Sequence, residues 1–192
     1  IELSNLQRQI IHDSESLGKP KTEVAKRKIE KLNPDVKVSN VVGRFSQSNA
    51  RSLVSSHDMV VDASDNFDTK FLVNDACILE NKPFSIGSVL EYHGQTSTFI
   101  PGKSPCYRCL FKQPPEGAIP TTVEVGVLGT VPGIIGVIQA TEVIKVLLNK
   151  GGNLAGKLLL LDVLEWEFQI VGFERSRECP ACGNHPSIEL RK

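Results

Sequence analysis

Two short cysteine pairs constrain this chain more than any other feature. Cys106 and Cys109 stand in "CYRC", Cys179 and Cys182 in "CPAC", and seventy positions separate Cys109 from Cys179. A CxxC turn presents two thiolates to one ion, and two such turns complete a tetrahedral four-sulfur site. Any fold must then bring a mid-chain loop to the C-terminal tail and clip them with a structural zinc ion. Four sulfur ligands leave no open position for water, so such an ion supports structure and not catalysis. The competing reading is a pair of redox motifs or local disulfides. A redox CxxC normally opens a helix after a strand, whereas "RECPACGNHP" lies in a polar tail. Cys77, in "NDACILENK", sits beside apolar residues and reads as inert core. His185 reads as an exposed tail residue.

Around these pairs, helix and strand patterns alternate. "PKTEVAKRKIEKLN" (20–33) is an amphipathic helix with Val24, Ile29 and Leu32 inward, Pro20 in its first turn and Asn33-Pro34 as its stop. "VKVSNVV" follows as a strand, and "SQSNARSLVSSH" as a short helix capped by Ser46 or Ser48. "DMVVDAS" is a buried strand, "NFDTKFLVNDACILENK" a helix, and "KPFSIGSV" and "GQTSTFI" two further strands. This order predicts an α/β fold: a mostly parallel sheet with helices on both faces. Residues 101–126 form a long proline-rich loop. A helix over "GVIQATEVIKVLLNKG" ends at Gly151-Gly152, and "GKLLLLDVLEWEFQIVGF" adds two antiparallel strands before the cysteine tail, so that 157–192 form a strand-and-metal extension.

Composition removes several function classes. The 192 residues carry 22 basic and 22 acidic side chains, a zero net charge that argues against a nucleic-acid or anionic-membrane surface. The apolar run "VGVLGTVPGIIGVIQATEVIKVLL" invites a transmembrane reading. Gln139, Glu142 and Lys145 at helical spacing, with Pro132 and four glycines, oppose it, and a buried loop and helix is expected instead. Paired thiols without a secretory signal point to a reducing, cytoplasmic compartment. The length fits one domain, 1–192.

Polar residues gather in three places. Asp62, Asp65 and Asn66 stand where a buried strand stops, the edge at which open α/β sheets bind ligands. Carboxylates there could hold Mg²⁺, and phosphate with it. "SNLQRQ" (4–9) crowds Asn5, Gln7, Arg8 and Gln9, and "GKPK" (18–21) puts Lys21 at a helix start, where phosphate would meet unpaired N–H groups. Together these residues suit a nucleoside triphosphate. Singly, Asp65 or Asn66 could cap the next helix, and Arg8 could be a surface ion-pair arginine. The chain contains no GxGxxG or Walker loop. On the residues alone both readings stay open.

"ELSNLQRQIIH", "GKPKTEVAKRKIEKLNP", "VVDASDNFDTKFLVNDAC", "PCYRCLF", "VGVLGTVPGIIGVIQATEVIKVLL" and "CPACG" occur here in one order. Together they resemble the ubiquitin-activating-like adenylyltransferases typified by ThiF, MoeB and HesA, across essentially the whole chain. The resemblance implies a Rossmann-like α/β domain extended by antiparallel strands, working as a homodimer. It implies ATP-dependent adenylation of the C-terminal glycine of a ubiquitin-like sulfur-carrier protein ending in Gly-Gly, for molybdopterin, thiamine or related thiolation. It also implies an ATP site lined by Ser4, Asn5, Leu6, Gln7, Arg8, Gln9, Lys21, Asp65 and Asn66. Arg8 and Lys21 would meet phosphate, Asp65 would hold Mg²⁺, and the four paired cysteines would hold structural zinc. No nucleic acid or membrane partner is implied.

Two departures shape these expectations. The family's first strand, glycine-rich phosphate loop and ribose-binding aspartate precede "ELSNLQRQ", so the chain as it stands is expected to bind ATP weakly. Many relatives carry a cysteine in the crossover loop where this chain has Thr122, in "TTVEVGV". A hydroxyl lacks a thiol's accessible pKa, so adenylation without a covalent step through that loop is expected. Two other functions fit the sequence less well. A non-catalytic docking scaffold for a ubiquitin-like protein would have no need of Arg8, Lys21 and Asp65. A zinc-containing nucleic-acid binder does not fit the neutral charge.

Overall fold

The computed structural model describes residues 1–114 and 124–190, so Thr122 and most of the loop before "VEVGV" lie outside the described residues. The chain divides into two compact units, Ile1–Arg44 and Phe45–Lys192.

The first unit begins with a 3-10 turn, Leu3–Asn5, and a second at Ser14–Ser16. Helix α1 spans Lys21–Leu32 after Pro20, whose fixed φ and missing N–H suit the residue entering a helix. Val24 is its buried position, whereas Leu32, expected inside, stands 87% exposed in the last turn. The segment "VKVSNVV" is not a strand. Its alternation fits one, but a strand exists only through a partner's hydrogen bonds, and Val41 and Val42 remain exposed.

The second unit holds a five-stranded sheet in the order β1-β2-β3-β4-β5, with β1 Val60–Asp62, β2 Phe84–Leu90, β3 His93–Phe99, β4 Lys157–Asp162 and β5 Glu167–Gly172. Only β1 and β2 pair in parallel, with Val60 opposite Phe84; the other three pairings are antiparallel. The expectation of a mostly parallel sheet therefore fails for the described residues. The cause is a short connection. Only Glu91 and Tyr92 separate β2 from β3, and a two-residue link can join antiparallel strands only. Glu91 turns it with φ 50°.

Helices cover both faces, as expected. Helix α2 (Ala50–Ser55) and α3 (Phe67–Leu79) lie on one face, where Val54, Phe71, Ala76 and Cys77 pack with Phe84, Ile86 and Phe99 of the strands. The cap of α2 is Asn49, not Ser46 or Ser48, because residues 46–49 form a separate turn in which Asn49 Oδ1 accepts the Ser46 N–H. Helix α4 (Tyr107–Leu110) is a single turn inside the expected loop. Helix α5 (Thr130–Leu148) lies on the opposite face, its Val131 and Ile135 packed with Leu161 and Val163. A Cβ at Gly94 would collide with Ile135, so glycine there sets how closely α5 approaches the sheet. The helix ends two residues earlier than Gly151-Gly152 suggested, at Asn149, which takes the left-handed conformation itself.

Helix α5 is long and apolar enough to cross a membrane. Its polar residues nonetheless bind the sheet beneath. Gln139 Nε2 donates to the Asp62 carbonyl, and Glu142 accepts from Thr98 Oγ1 at 2.8 Å and from the Leu154 N–H. These side chains fit a helix packed on protein better than one packed on lipid.

Candidate functional site

The carboxyl end of β1 carries the first part of the site. Strand β1 stops at Asp62, the chain turns through Ala63, Ser64 and Asp65, and α3 begins after Asn66. The two aspartates part company here. Asp62 is 4% exposed, and both its oxygens are engaged: Oδ2 accepts from Lys70 Nζ at 2.7 Å and Oδ1 from the Ser64 N–H at 3.1 Å. A carboxylate taken out of water needs such a paired cation. Asp62 therefore does not join Asp65 in facing a metal, and that expectation is corrected. Asp65 and Asn66 both face solvent. Asn66 Oδ1 accepts the Thr69 N–H at 2.8 Å, so Asn66 is the N-cap of α3, one of the two candidates for that role. Asp65 is thereby left as the exposed carboxylate of the turn, beside the positive end of a 13-residue helix.

The first unit carries the other polar clusters. The turn Leu3–Asn5 places Asn5 beneath Glu2, whose N–H donates to Asn5 Oδ1, and Arg8 Nη1 donates to the Ser4 carbonyl. Ser4 and Gln7 are exposed, while Leu6, Arg8 and Gln9 are half-buried. The Gly18 N–H donates to the Ile1 carbonyl at 2.9 Å, which draws "GKPK" back toward the start of the chain. Lys21 is the first residue of α1 and is exposed. His12 has its pKa lowered by burial and then by the charges of Lys21 and Lys28, a sign of concentrated positive potential in this unit. Ser4, Asn5, Leu6, Gln7, Arg8, Gln9 and Lys21 thus belong to one compact unit, and Asp65 and Asn66 to the other.

The cysteine pairs meet as the spacing required. Sγ of Cys106 lies 3.5 Å from that of Cys179 and 3.9 Å from that of Cys109, while Cys109 and Cys182 are 3.4 Å apart. All four sulfurs fall within 4.8 Å of one another, and no cysteine is in a disulfide. A tetrahedron of zinc–sulfur bonds of ~2.3 Å has sulfur–sulfur edges of ~3.8 Å, so the set fits a metal. "CYRC" does open a helical turn, α4, in the manner of a redox motif. What distinguishes it is the second pair pressed against the first.

Crowding makes the same point chemically. Burial and the neighbouring sulfurs push the Cys106 thiol well up, and burial pushes Cys182 up to about 11. Burial also opposes ionisation of Cys179, but hydrogen bonds from the N–H groups of Cys182 and Ala181, together with those from the Cys106 and Cys109 thiols, lower that thiol. Four thiolates this close need a cation among them. The turn itself depends on Gly183, where a Cβ would strike the carbonyls of Cys179 and Arg177. His185 is exposed and contributes nothing to the cluster.

Sequence reasoning missed two connections in this unit. Lys70, the partner of Asp62, was read only as part of a helix. Its signal was spacing, since Lys70, Asn74 and Cys77 share one helical face and all are buried. The second is a clamp between α3 and "CYRC". Arg108 makes two bonds of 2.7 Å to the Asp75 carboxylate, lies 4.7 Å over the Phe71 ring, and is joined by Asn74, which accepts the Tyr107 N–H.

Comparison with known proteins places the chain. The ThiF family description matches residues 1–181. The chain is 45% identical over 184 residues to the SAMP-activating enzyme E1 of Haloferax volcanii, spanning 95% of this chain and 68% of that protein. It is 44% identical over 193 residues to the sulfur carrier protein adenylyltransferase of Thermus thermophilus, spanning 97% and 71%. Against adenylyltransferase and sulfurtransferase MOCS3 of Culex quinquefasciatus the identity is 38%, over 98% of this chain but only 43% of that protein. Among solved structures, E. coli MccB with ATP superposes with a TM-score of 0.82 at 25% identity, over 95% of this chain and 56% of that one. The cysteine cage, the βαβ unit that presents Asp65 and the match over residues 1–181 agree: this chain belongs to the ThiF family.

Proposed function

We propose that this chain is the adenylating part of an enzyme that transfers AMP from ATP to the C-terminal carboxylate of a ubiquitin-like sulfur-carrier protein ending in Gly-Gly. The observation that supports the reading is 44–45% identity, over nearly all of this chain, to a relative named SAMP-activating enzyme E1 and another named sulfur carrier protein adenylyltransferase. In this reading Ser4, Asn5, Leu6, Gln7, Arg8 and Gln9 contact ATP, Lys21 and Arg8 neutralise phosphate, and Asp65 with Asn66 holds Mg²⁺·ATP. When bound, Mg²⁺ supplies charge neutralisation on the phosphates. The cysteine cage holds zinc and is structural. The enzyme works as a homodimer in the cytoplasm, in molybdopterin, thiamine or related thiolation.

The chemistry asks little of acid–base groups. An oxygen of the carrier's carboxylate bonds to the α-phosphorus, the bond from that phosphorus to the bridging oxygen breaks, and pyrophosphate leaves with the electron pair. A carboxylate is already ionised at pH 7, so no general base is required. The barrier is the approach of an anion to a polyanion. Arg8 and Lys21 lower it by position and charge, the dominant contributions in phosphoryl chemistry of this kind. His12 and His93 take no part.

The test is pyrophosphate exchange into ATP by the intact protein in the presence of a small ubiquitin-like protein ending in Gly-Gly. Wild-type exchange is expected, with a loss of about a hundredfold or more in Asp65→Ala and an unchanged melting curve. Normal exchange by Asp65→Ala would remove Asp65 from this role, and absence of carrier-dependent exchange in the wild type would refute the function.

A further inference from the structure

We propose that Lys70 is a positioning residue for Asp65: its buried ammonium holds the turn 62–66 in the one shape that presents Asp65 to Mg²⁺·ATP. The inference rests on the reading of Asp65 given above. Lys70 is 3% exposed, and an ammonium has three donor hydrogens. All three are used, each at 2.7 Å: to Asp62 Oδ2 at the end of β1, to the Ser64 carbonyl within the turn, and to the Gly87 carbonyl on β2. One side chain therefore joins the neighbouring strand, the strand end and the turn. Asp62 closes the loop of contacts, since its Oδ1 accepts the Ser64 N–H and its carbonyl accepts from Gln139 of α5. Ser64 is held through both its N–H and its carbonyl, and Asp65 is the next residue. Beyond Asp65, the Asn66 cap fixes the following position to α3. Asp65 is thus anchored through the residues on both sides of it, and its exposed carboxylate accepts a long contact of 3.4 Å from Asn66 Nδ2.

Removing the Lys70 charge alone would strand the Asp62 charge in the core and unfold the unit, which would say nothing about position. The informative change removes both charges, Asp62→Leu with Lys70→Met, which leaves no unpaired ion but releases the Ser64 carbonyl. Binding of Mg²⁺·ATP to the intact protein, read by titration calorimetry, and melting temperature are followed together. With the melting temperature kept within a few degrees, the dissociation constant for Mg²⁺·ATP is expected to rise about tenfold or more, the usual cost of losing a group that orients a metal-binding residue. KM for Mg²⁺·ATP in pyrophosphate exchange should rise with it, while Lys70→Arg, which keeps the charge and several donors, restores binding to within about threefold.

Should the double variant fail to fold, Asp62→Asn with Lys70→Gln likewise leaves no unpaired ion while keeping polar side chains in both places, and a rise in the same dissociation constant is again expected. A folded variant that binds Mg²⁺·ATP like the wild type overturns the proposal. Asp65→Ala serves as the control. If it too binds like the wild type, the reading of Asp65 has failed and the role of Lys70 falls with it; if it binds weakly while the double variant does not, only Lys70 is refuted.

Discussion

Replacing Cys179 by serine tests the cage most directly. Cys106 and Cys179 are 73 positions apart, so an ion shared between them closes a ring of that size. A cross-link closing such a ring restricts the unfolded chain by ~4 kcal/mol on the chain-entropy account. For a protein of about 190 residues, each kcal/mol moves the melting temperature by about 2–4 °C, so loss of the ion should lower it by about 10–15 °C. Metal content by mass spectrometry and melting by circular dichroism would be measured for the wild type, for Cys179→Ser, and for the wild type after chelation. One zinc per chain is expected in the wild type and almost none in the variant, with the chelated wild type melting alongside the variant. Affinity for Mg²⁺·ATP should not change directly, because no cysteine is among the residues proposed to contact the nucleotide. A wild type that carries no metal, or that loses it without any fall in melting temperature, would refute the reasoning.

Two further outcomes follow from the surroundings of single groups. Burial, and then the charge of Asp62, push the Cys77 thiol up to about 12, so iodoacetamide at pH 8 should leave Cys77 unmodified in the folded protein and label it after denaturation; rapid labelling of the native protein would show that the core assignment is wrong. The hydrogen bond from Lys28 and then that from Ser16 hold the Asp13 carboxyl at about 2, which favours the folded state at neutral pH, an advantage lost as pH falls from about 4 toward 2. In Lys28→Ala the carboxyl should titrate part of the way back toward the ordinary value by NMR, the Ser16 hydrogen bond remaining, and an unmoved midpoint would assign the depression elsewhere.

Local chemistry was legible and pairing was not. The helix after Asn66, the strand before it and the hairpin of leucines and aromatics were readable because apolar spacing and caps act within a few residues. The sequence reading missed strand direction, although the four residues between "KPFSIGSV" and "GQTSTFI" are already too few for a crossover. "VKVSNVV" alternates correctly, but alternation describes a side chain's preference and does not supply the neighbouring backbone. At the candidate site, Asp62 and Asp65 are three positions apart and chemically identical on paper. Only the fold reveals that a lysine eight residues after Asp62 neutralises it in the interior, while Asp65 keeps its charge outside. The cysteine cage was readable because a doubled CxxC has few other uses.

The seventy-odd residues between the two cysteine pairs also impose an order on synthesis. The stretch from Cys106 to Cys179 contains α5, β4 and β5, so a ribosome must complete that helix and both strands before the second pair exists. A nascent chain arrested short of Cys179 carries two of the four cage thiols and no cage. A metal held by all four sulfurs would therefore be loaded late, on chains whose β4 and β5 have already been translated.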